Sequence, residues 1–535
     1  MKINNKENFR LIYLAALIFS IKPLEFLAVN ISVANFKDDL IYPVIFHLLI
    51  FLIFLFIFIL FLSLKNKLIN MIFIFLASAY YLQYFTLDIR DSLIAISPVN
   101  LNVNIYLLVS ICLILLISII FTKIYFLSKN KKLILAGVSF LCLIQIFILA
   151  NNSFFLLNKG NNDPVFSSSD VNKLEESSDI SGENVYYIIL DGLISYEYFL
   201  ENSDVENNDF SNFNIQLQNK DFTLFEDSLS SYNITFLTLG SILEMNYYDK
   251  DLKYSNRDNF FPKLLYKNDP PELIKSLNKI GYDFIYSGNF WAQCKQSIHF
   301  SCANRKIDIE ALNFYQKLIN YTNNAGIQTL TSRSLIGYVL RFIYQYSGSS
   351  FYDDGLENFL ESGIEDIEPK SKKFYFIHNE SPHPPYPEQN CKIDHTKSYT
   401  GWIDMPSYSF SISCALDKAL YSINKIIEID PSAIIVIQGD HGTSLNYDWM
   451  SNPLIMSKSN LKERFSIYNS IRLPKRCSQI NNGSLGNVET VNLVFDCISN
   501  NVKSNLSFKN RSFAAVYEDN REYFGKVYDV SEILK

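Results

Sequence analysis

Residues 433–442 read Ala-Ile-Ile-Val-Ile-Gln-Gly-Asp-His-Gly, and residues 185–192 read Val-Tyr-Tyr-Ile-Ile-Leu-Asp-Gly. Each is a short apolar run without alternation that ends abruptly on ionisable residues and a glycine. A strand covered on both faces reads this way, whereas a half-exposed strand would alternate. Asp283–Ser287 (DFIYS) and Lys373–Ile377 (KFYFI) have the same character. Helical spacing separates these runs, most plainly over Ile412–Ile427. There Ile412, Ala415, Leu416, Ala419, Leu420, Ile423 and Ile427 share one stripe, and Asp430 with Pro431 ends it. Strands alternating with helices predict an α/β domain with a mostly parallel central sheet and right-handed crossovers.

Open parallel sheets bind ligands beyond the carboxyl ends of their strands. Asp191, Asp440 and His441 follow two buried runs directly and are expected to converge on one crevice. Two carboxylates and an imidazole suit a divalent cation, Zn²⁺ or Mn²⁺, with Mg²⁺ as an alternative. Asp191-Gly192 alone would be an ordinary turn; Asp440-His441-Gly442 at a second strand end makes a three-group cluster worth a functional reading. A third element is SSYNITFLTLGSIL, residues 230–243. Its apolar pattern from Phe236 onward predicts a helix with Thr235 near the amino end, where backbone amides favour an anionic phosphate. An unperturbed hydroxyl is a poor nucleophile, and metal coordination is the available remedy. The alternative is that Thr235 merely caps the helix. Thr238, Ser230 and Ser231 are rival hydroxyls.

The chain has 535 residues and a net charge of −7, with a mean hydropathy of +0.07. That charge, without a clustered basic surface, argues against a nucleic-acid partner. The hydropathy is unevenly spread. Five segments satisfy the requirement of about 20 mostly apolar residues per crossing: Leu11–Ile31, Ile41–Leu64, Ile69–Thr86, Asn104–Phe126 and Leu133–Ala150. Lys2, Lys6 and Arg10, then Lys65 and Lys67, then Lys129, Lys131 and Lys132 mark the cytoplasmic side. The alternate loops carry Lys37, Asp38 and Asp39, or Asp88, Arg90 and Asp91, without positive excess. The N-terminus is thus expected inside and everything after about residue 152 outside the membrane. His47, within the second span, reads as a partnered neutral histidine or a functional one. The expected organisation is a transmembrane region over 1–152, a polar linker over 153–183, and a catalytic domain over 184–535.

Cys112 and Cys142 lie in apolar runs, as small buried hydrophobes do. Cys294, Cys302, Cys391, Cys414, Cys477 and Cys497 fall in the polar half, an even number that suits an oxidising compartment such as a periplasm. Their order suggests neighbouring pairs, with other connectivities open.

Taken in order, Asp191-Gly192, Ser231-Tyr232-x-x-Thr235 with its Leu-rich helix, Pro382-His383-Pro384-Pro385-Tyr386, Gly439-Asp440-His441-Gly442 and Arg464-Phe465-Ser466-Ile467-Tyr468-Asn469 resemble the alkaline phosphatase superfamily. Within it the pattern is most similar to membrane-anchored sulfatase-like phosphotransferases, such as lipoteichoic acid synthase and the phosphoethanolamine and phosphoglycerol transferases. The resemblance spans about residues 183–500. It implies Asp191, Asp440 and His441 as metal ligands, Thr235 as nucleophile and ligand, and His383 as a group that contacts the phosphoryl oxygens or protonates the leaving oxygen. His378 either lines the same cleft or is structural. The Cys/Ser-x-Pro-x-Arg motif that sulfatases mature to formylglycine does not occur, and ligands for a second ion are not evident, so a single-ion site is expected. The implied activity moves a phospholipid head group, phosphoethanolamine or phosphoglycerol, through a phosphothreonine to an envelope glycan or lipid. A hydrolase that uses water at the same site, and a non-catalytic envelope scaffold, are the alternatives.

Overall fold

In this computed structural model the described residues are chiefly 12–19, 67–86, 103–158, 182–203, 208–248, 260–288, 297–303, 355–388, 404–446, 453–477, 484–500, 510–517 and 524–534, apart from a few single positions within them and together with scattered positions between them. The chain divides into two compact units, Met1–Asn161 with Asp308–Ser350, and Asn162–Ile307 with Phe351–Lys535.

In the first unit, helices α1 (Lys67–Leu82), α2 (Val103–Leu127) and α3 (Lys131–Asn158) coincide with the third, fourth and fifth expected spans. Among the described residues one helix, Ile105–Leu127, is long and apolar enough to cross a membrane. Its hydroxyls do not break the apolar surface. Ser110, Ser118 and Thr122 each donate to the carbonyl four residues back, which satisfies them inside the helix. Helix α3 runs on through Phe154, Phe155, Leu156 and Leu157 into the segment expected to be linker, because those apolar residues extend its pattern. Residues 12–19 of the first expected span are helical, whereas most of the second span, His47 and residues 159–181 of the linker lie outside the described residues.

The second unit is built on a seven-stranded sheet ordered β2-β7-β6-β1-β5-β3-β4. The strands are β1 (Val185–Leu190), β2 (Phe222–Leu224), β3 (Asp283–Ser287), β4 (Ser301–Cys302), β5 (Lys373–Asn379), β6 (Ile434–Gly439) and β7 (Asn469–Arg472). Pairings among β6, β1, β5, β3 and β4 are parallel; β7 runs antiparallel to both β6 and β2. Three of the four continuous apolar runs, β1, β5 and β6, are thus the buried centre of a mixed, mostly parallel sheet, while β3 lies next to its edge with Asp283 exposed. A hairpin of β8 (Phe513–Tyr517) and β9 (Phe524–Asp529) forms a second, two-stranded sheet that bridges to Tyr232 through Phe513.

Successive residues of β1 feed two cores, as a pleat requires. Val185, Tyr187 and Ile189 pack with Leu239 and Ile242 of α5 (Thr235–Leu243), Leu273 and Leu277 of α6 (Glu272–Lys279), and Val491 and Val494 of α9 (Asn487–Ile498). Tyr186, Ile188 and Leu190 pack with Phe210 and Phe213 of α4 (Asn208–Gln218) and with Ile412, Leu416 and Ile423 of α7 (Met405–Ile429). Helix α7 starts earlier than its apolar stripe because Asp404 caps it, accepting from Ser407 N at 2.8 Å, and Pro406 occupies its first turn. Helix α8 (Lys458–Phe465) leads into β7. The three neighbouring cysteine pairs, Cys294–Cys302, Cys391–Cys414 and Cys477–Cys497, are disulfides.

Candidate metal and phosphoryl-transfer site

Strand register brings the first ligands together. Leu190 of β1 pairs with Gly439 of β6 on one side and Asn379 of β5 on the other. Asp191 and Asp440 therefore leave adjacent strands at the same level, at the carboxyl edge. The turn after Asp191 needs glycine: Gly192 has φ +73°, and a methyl group there would lie 2.7 Å from Trp402 Cη2. Gly442 also has no room for a side chain, since a Cβ would run into the Glu463 carbonyl.

Asp440 is held from one side. Its Oδ1 accepts from Gly192 N at 2.8 Å and His441 N at 2.9 Å, while Oδ2 is buried with no hydrogen-bond partner among the described residues. The His441 Nδ1–H donates to Gly442 O at 2.8 Å, which turns the Nε2 lone pair into the crevice. That nitrogen lies 3.0 Å from Thr235 Oγ1, 3.4 Å from Asp440 Oδ2 and 3.5 Å from Asp191 Oδ1. Thr235, Asp191, Asp440 and His441 thus meet at one point.

Thr235 is the first residue of α5, and the cap position is Ile234, with no side-chain capping bond. The Thr235 hydroxyl accordingly faces His441 rather than the helix amides. Of its rivals, Thr238 donates to Tyr232 O at 3.0 Å, and Ser230 and Ser231 are fully buried. Thr235 and His383 are half-buried at the mouth, with Asp191, Asp440 and His441 buried beneath them.

The structure also draws His383 in. Donor atoms of Asp191, His383 and His441 all lie within 4.8 Å of one another. The His383 backbone N donates to Asp191 O at 2.9 Å, and its Nδ1–H donates to Pro384 O at 2.7 Å, so that Nε2 carries the ring's lone pair. Trp402 packs edge-on to it, with ring centroids 5.0 Å apart. His378 is fully buried at the end of β5, its Nε2 3.3 Å from Asp191 Oδ2 and its ring against Phe261; it stands behind the site.

The electrostatics favour a cation. Burial, and then the charge of Asp191, push Asp440 up to about 7. Burial and the neighbouring Arg464 guanidinium push His441 well below the ordinary imidazole value, and burial also lowers His383. A desolvated cluster of acids and neutral imidazoles lacks positive charge at its centre. The orphaned Asp440 Oδ2, the inward His441 Nε2 and the mixed oxygen and nitrogen donors together fit a divalent ion.

The sequence offered no signal for Trp402, which walls the crevice, or for Asn487, whose side chain binds the Ser231 N and Gly439 O of the flanking segments. Arg464 stood in a recognisable motif, but without a role.

Fold and site define a mixed α/β domain with an acid, imidazole and hydroxyl cluster at the carboxyl edge of its sheet. Solved structures similar to the chain include the periplasmic domain of EptC from Escherichia coli, at 14% identity, TM-score 0.36, covering 66% of this chain and 94% of that one. They also include the integral membrane lipooligosaccharide phosphoethanolamine transferase A (EptA) from Neisseria meningitidis, at 12% identity and TM-score 0.36, covering 90% and 95%. The phosphonate monoester hydrolase of Agrobacterium radiobacter matches at 10% identity and TM-score 0.39, covering 65% and 90%. No protein-family model matches the chain, and no curated protein matches it. The chemistry of the site therefore rests on this chain's own side chains.

Proposed function

We propose that the protein is a membrane-anchored, metal-dependent phosphotransferase that moves a phospholipid head group through a phosphothreonine on Thr235. The observation that carries this reading is the Thr235 hydroxyl 3.0 Å from His441 Nε2, at the mouth of a buried pair of carboxylates. Asp191, Asp440, His441 and Thr235 would hold the ion. When bound, a divalent cation there supplies Lewis acidity that acidifies the hydroxyl and neutralises phosphoryl charge.

Thr235 Oγ, its hydroxyl proton released to solvent, attacks phosphorus in line, and the bond to the diacylglycerol oxygen breaks. His383 Nε2, facing the same opening, contacts the phosphoryl group or in its protonated form hands its proton to the leaving oxygen. In the second half it takes a proton from the acceptor hydroxyl as that oxygen bonds to phosphorus, the Thr235 Oγ–P bond breaks, and Thr235 Oγ regains a proton from solvent. The acceptor is an envelope glycan or lipid. The loop charges support a site outside the membrane, near its lipid donor.

The test is mass spectrometry of the purified protein after incubation with mixed phospholipids. A head-group adduct on the peptide containing Thr235, absent from Thr235→Ala, is expected. Transfer retained in Thr235→Ala would remove it as nucleophile and point to Thr238.

A further inference from the structure

The nucleophile and the ligands belong to parts of the chain far apart in sequence; Thr235 and His441 are separated by 206 positions. Their 3.0 Å approach must be set by something stiffer than a surface loop. Two buried side chains cross the gap. Asn487, fully buried in the first turn of α9, accepts from Ser231 N at 2.9 Å and donates through Nδ2 to Gly439 O at 2.9 Å. Arg464, buried in the last turn of α8, donates to Asn233 O from Nε at 2.9 Å and Nη2 at 2.7 Å, and to Gly442 O from Nη1 at 3.1 Å.

These contacts form a ladder. Ser231, Asn233 and Thr235 lie on one rail, and Gly439, Gly442 and His441 on the other. Asn487 and Arg464 are two rungs, and the Thr235–His441 contact is the third. The first rail has little slack, because the Asn233 side chain is fixed to the Ala515 backbone in both directions, at 3.1 and 2.8 Å. Burying a guanidinium on carbonyl acceptors is costly, whereas a planar fork that reaches two loops at once fixes their separation as a flexible ammonium cannot.

We infer that Arg464 and Asn487 are positioning residues that lock the Thr235 loop onto the Asp440–His441 loop, and so decide whether the hydroxyl reaches the cation. The inference rests on the metal-site reading above. It differs from a general stabilising role, because it ties both side chains to Thr235 coordination.

Cobalt(II) binding to the full-length protein in detergent provides the test, since the visible ligand-field bands report the donor set. Arg464→Lys and Asn487→Asp are compared with wild type and Thr235→Ala, each first checked without metal for a cooperative melt. Loss of an orienting partner should weaken cobalt binding about 10–100-fold, and the bands of both variants should shift toward those of Thr235→Ala. Variants that melt cooperatively yet keep wild-type bands and affinity overturn the inference. So does loss of cooperative melting in both, which would make the residues structural. A wild-type protein without cobalt bands, or with bands indifferent to Thr235→Ala, refutes the metal-site reading itself, and the inference falls with it.

Discussion

Glu489 offers a stability test that needs neither substrate nor metal. It lies in the first turn of α9, 5% exposed, accepting from the Tyr247 hydroxyl. Burial pushes its carboxyl from 4.5 up to about 7, against the opposing pull of Tyr247, the Gly486 amide and Arg511. The folded protein therefore holds this proton more tightly than the unfolded chain. The associated stability is fully present below about pH 4.5, declines as pH rises toward 7, and is lost above it. Each pH unit across that window is worth about 1.4 kcal/mol, so stability should fall by about 2–3 kcal/mol between pH 5 and pH 8 from this group. Glu489→Gln imitates the protonated acid at every pH and should remove that share of the slope. Other buried acids titrate in both proteins, so the quantity to measure is the difference between wild type and variant in denaturant midpoint or melting temperature at the two pH values. Equal slopes in the two proteins would refute the reasoning.

The metal should compete with a proton on Asp440, which burial and Asp191 push up to about 7; apparent affinity should rise with pH by up to about tenfold per unit below 7 and then level off, as calorimetry at several pH values would show. Stripping the ion with a chelator should lower the melting temperature, and zinc or manganese should restore it. Replacing Cys477 and Cys497 with serine opens a cross-link with a sequence separation of 20 and should cost about 2–4 kcal/mol, read from the denaturation midpoint with and without reductant. His383→Gln should slow transfer by about 10²–10⁴-fold while leaving metal affinity less affected than His441→Gln does, because His383 stands at the mouth and His441 on the floor.

The sheet was readable in the sequence because its centre is buried on both faces. VYYIIL and DFIYS end where the strands end, and KFYFI and AIIVI fall two residues short of β5 and β6, whose last residues, His378 with Asn379 and Gln438 with Gly439, are more polar. Short strands such as β2 and β7 left no comparable trace, since three or four residues of mixed polarity are held by neighbours rather than by their own pattern. The meeting of Asp191, Asp440 and His441 followed from a simple rule, that residues leaving adjacent parallel strands at one level must be close. The participation of His383 in the same cluster did not follow from spacing. It depends on a backbone bond from His383 N to Asp191 O, and no local pattern announces such a bond.

The parts of the site that escaped sequence reading share one physical trait: they work through main-chain carbonyls and amides. Asn487 recognises Ser231 and Gly439 by backbone atoms that every residue carries, and Arg464 does the same with Asn233 and Gly442. Such contacts constrain the position of a partner and leave its identity free, so they leave no paired signature. They also explain how a cluster that is electrostatically unfavourable without a cation persists. Asp440 stays at the edge of β6 because two backbone N–H groups bind its Oδ1, while Oδ2 is left without a hydrogen bond among the described residues. The fold supplies rigidity from the backbone and withholds satisfaction from the side chain. A cation entering between the two carboxylates would then meet preset donors, and little reorganisation would oppose its binding.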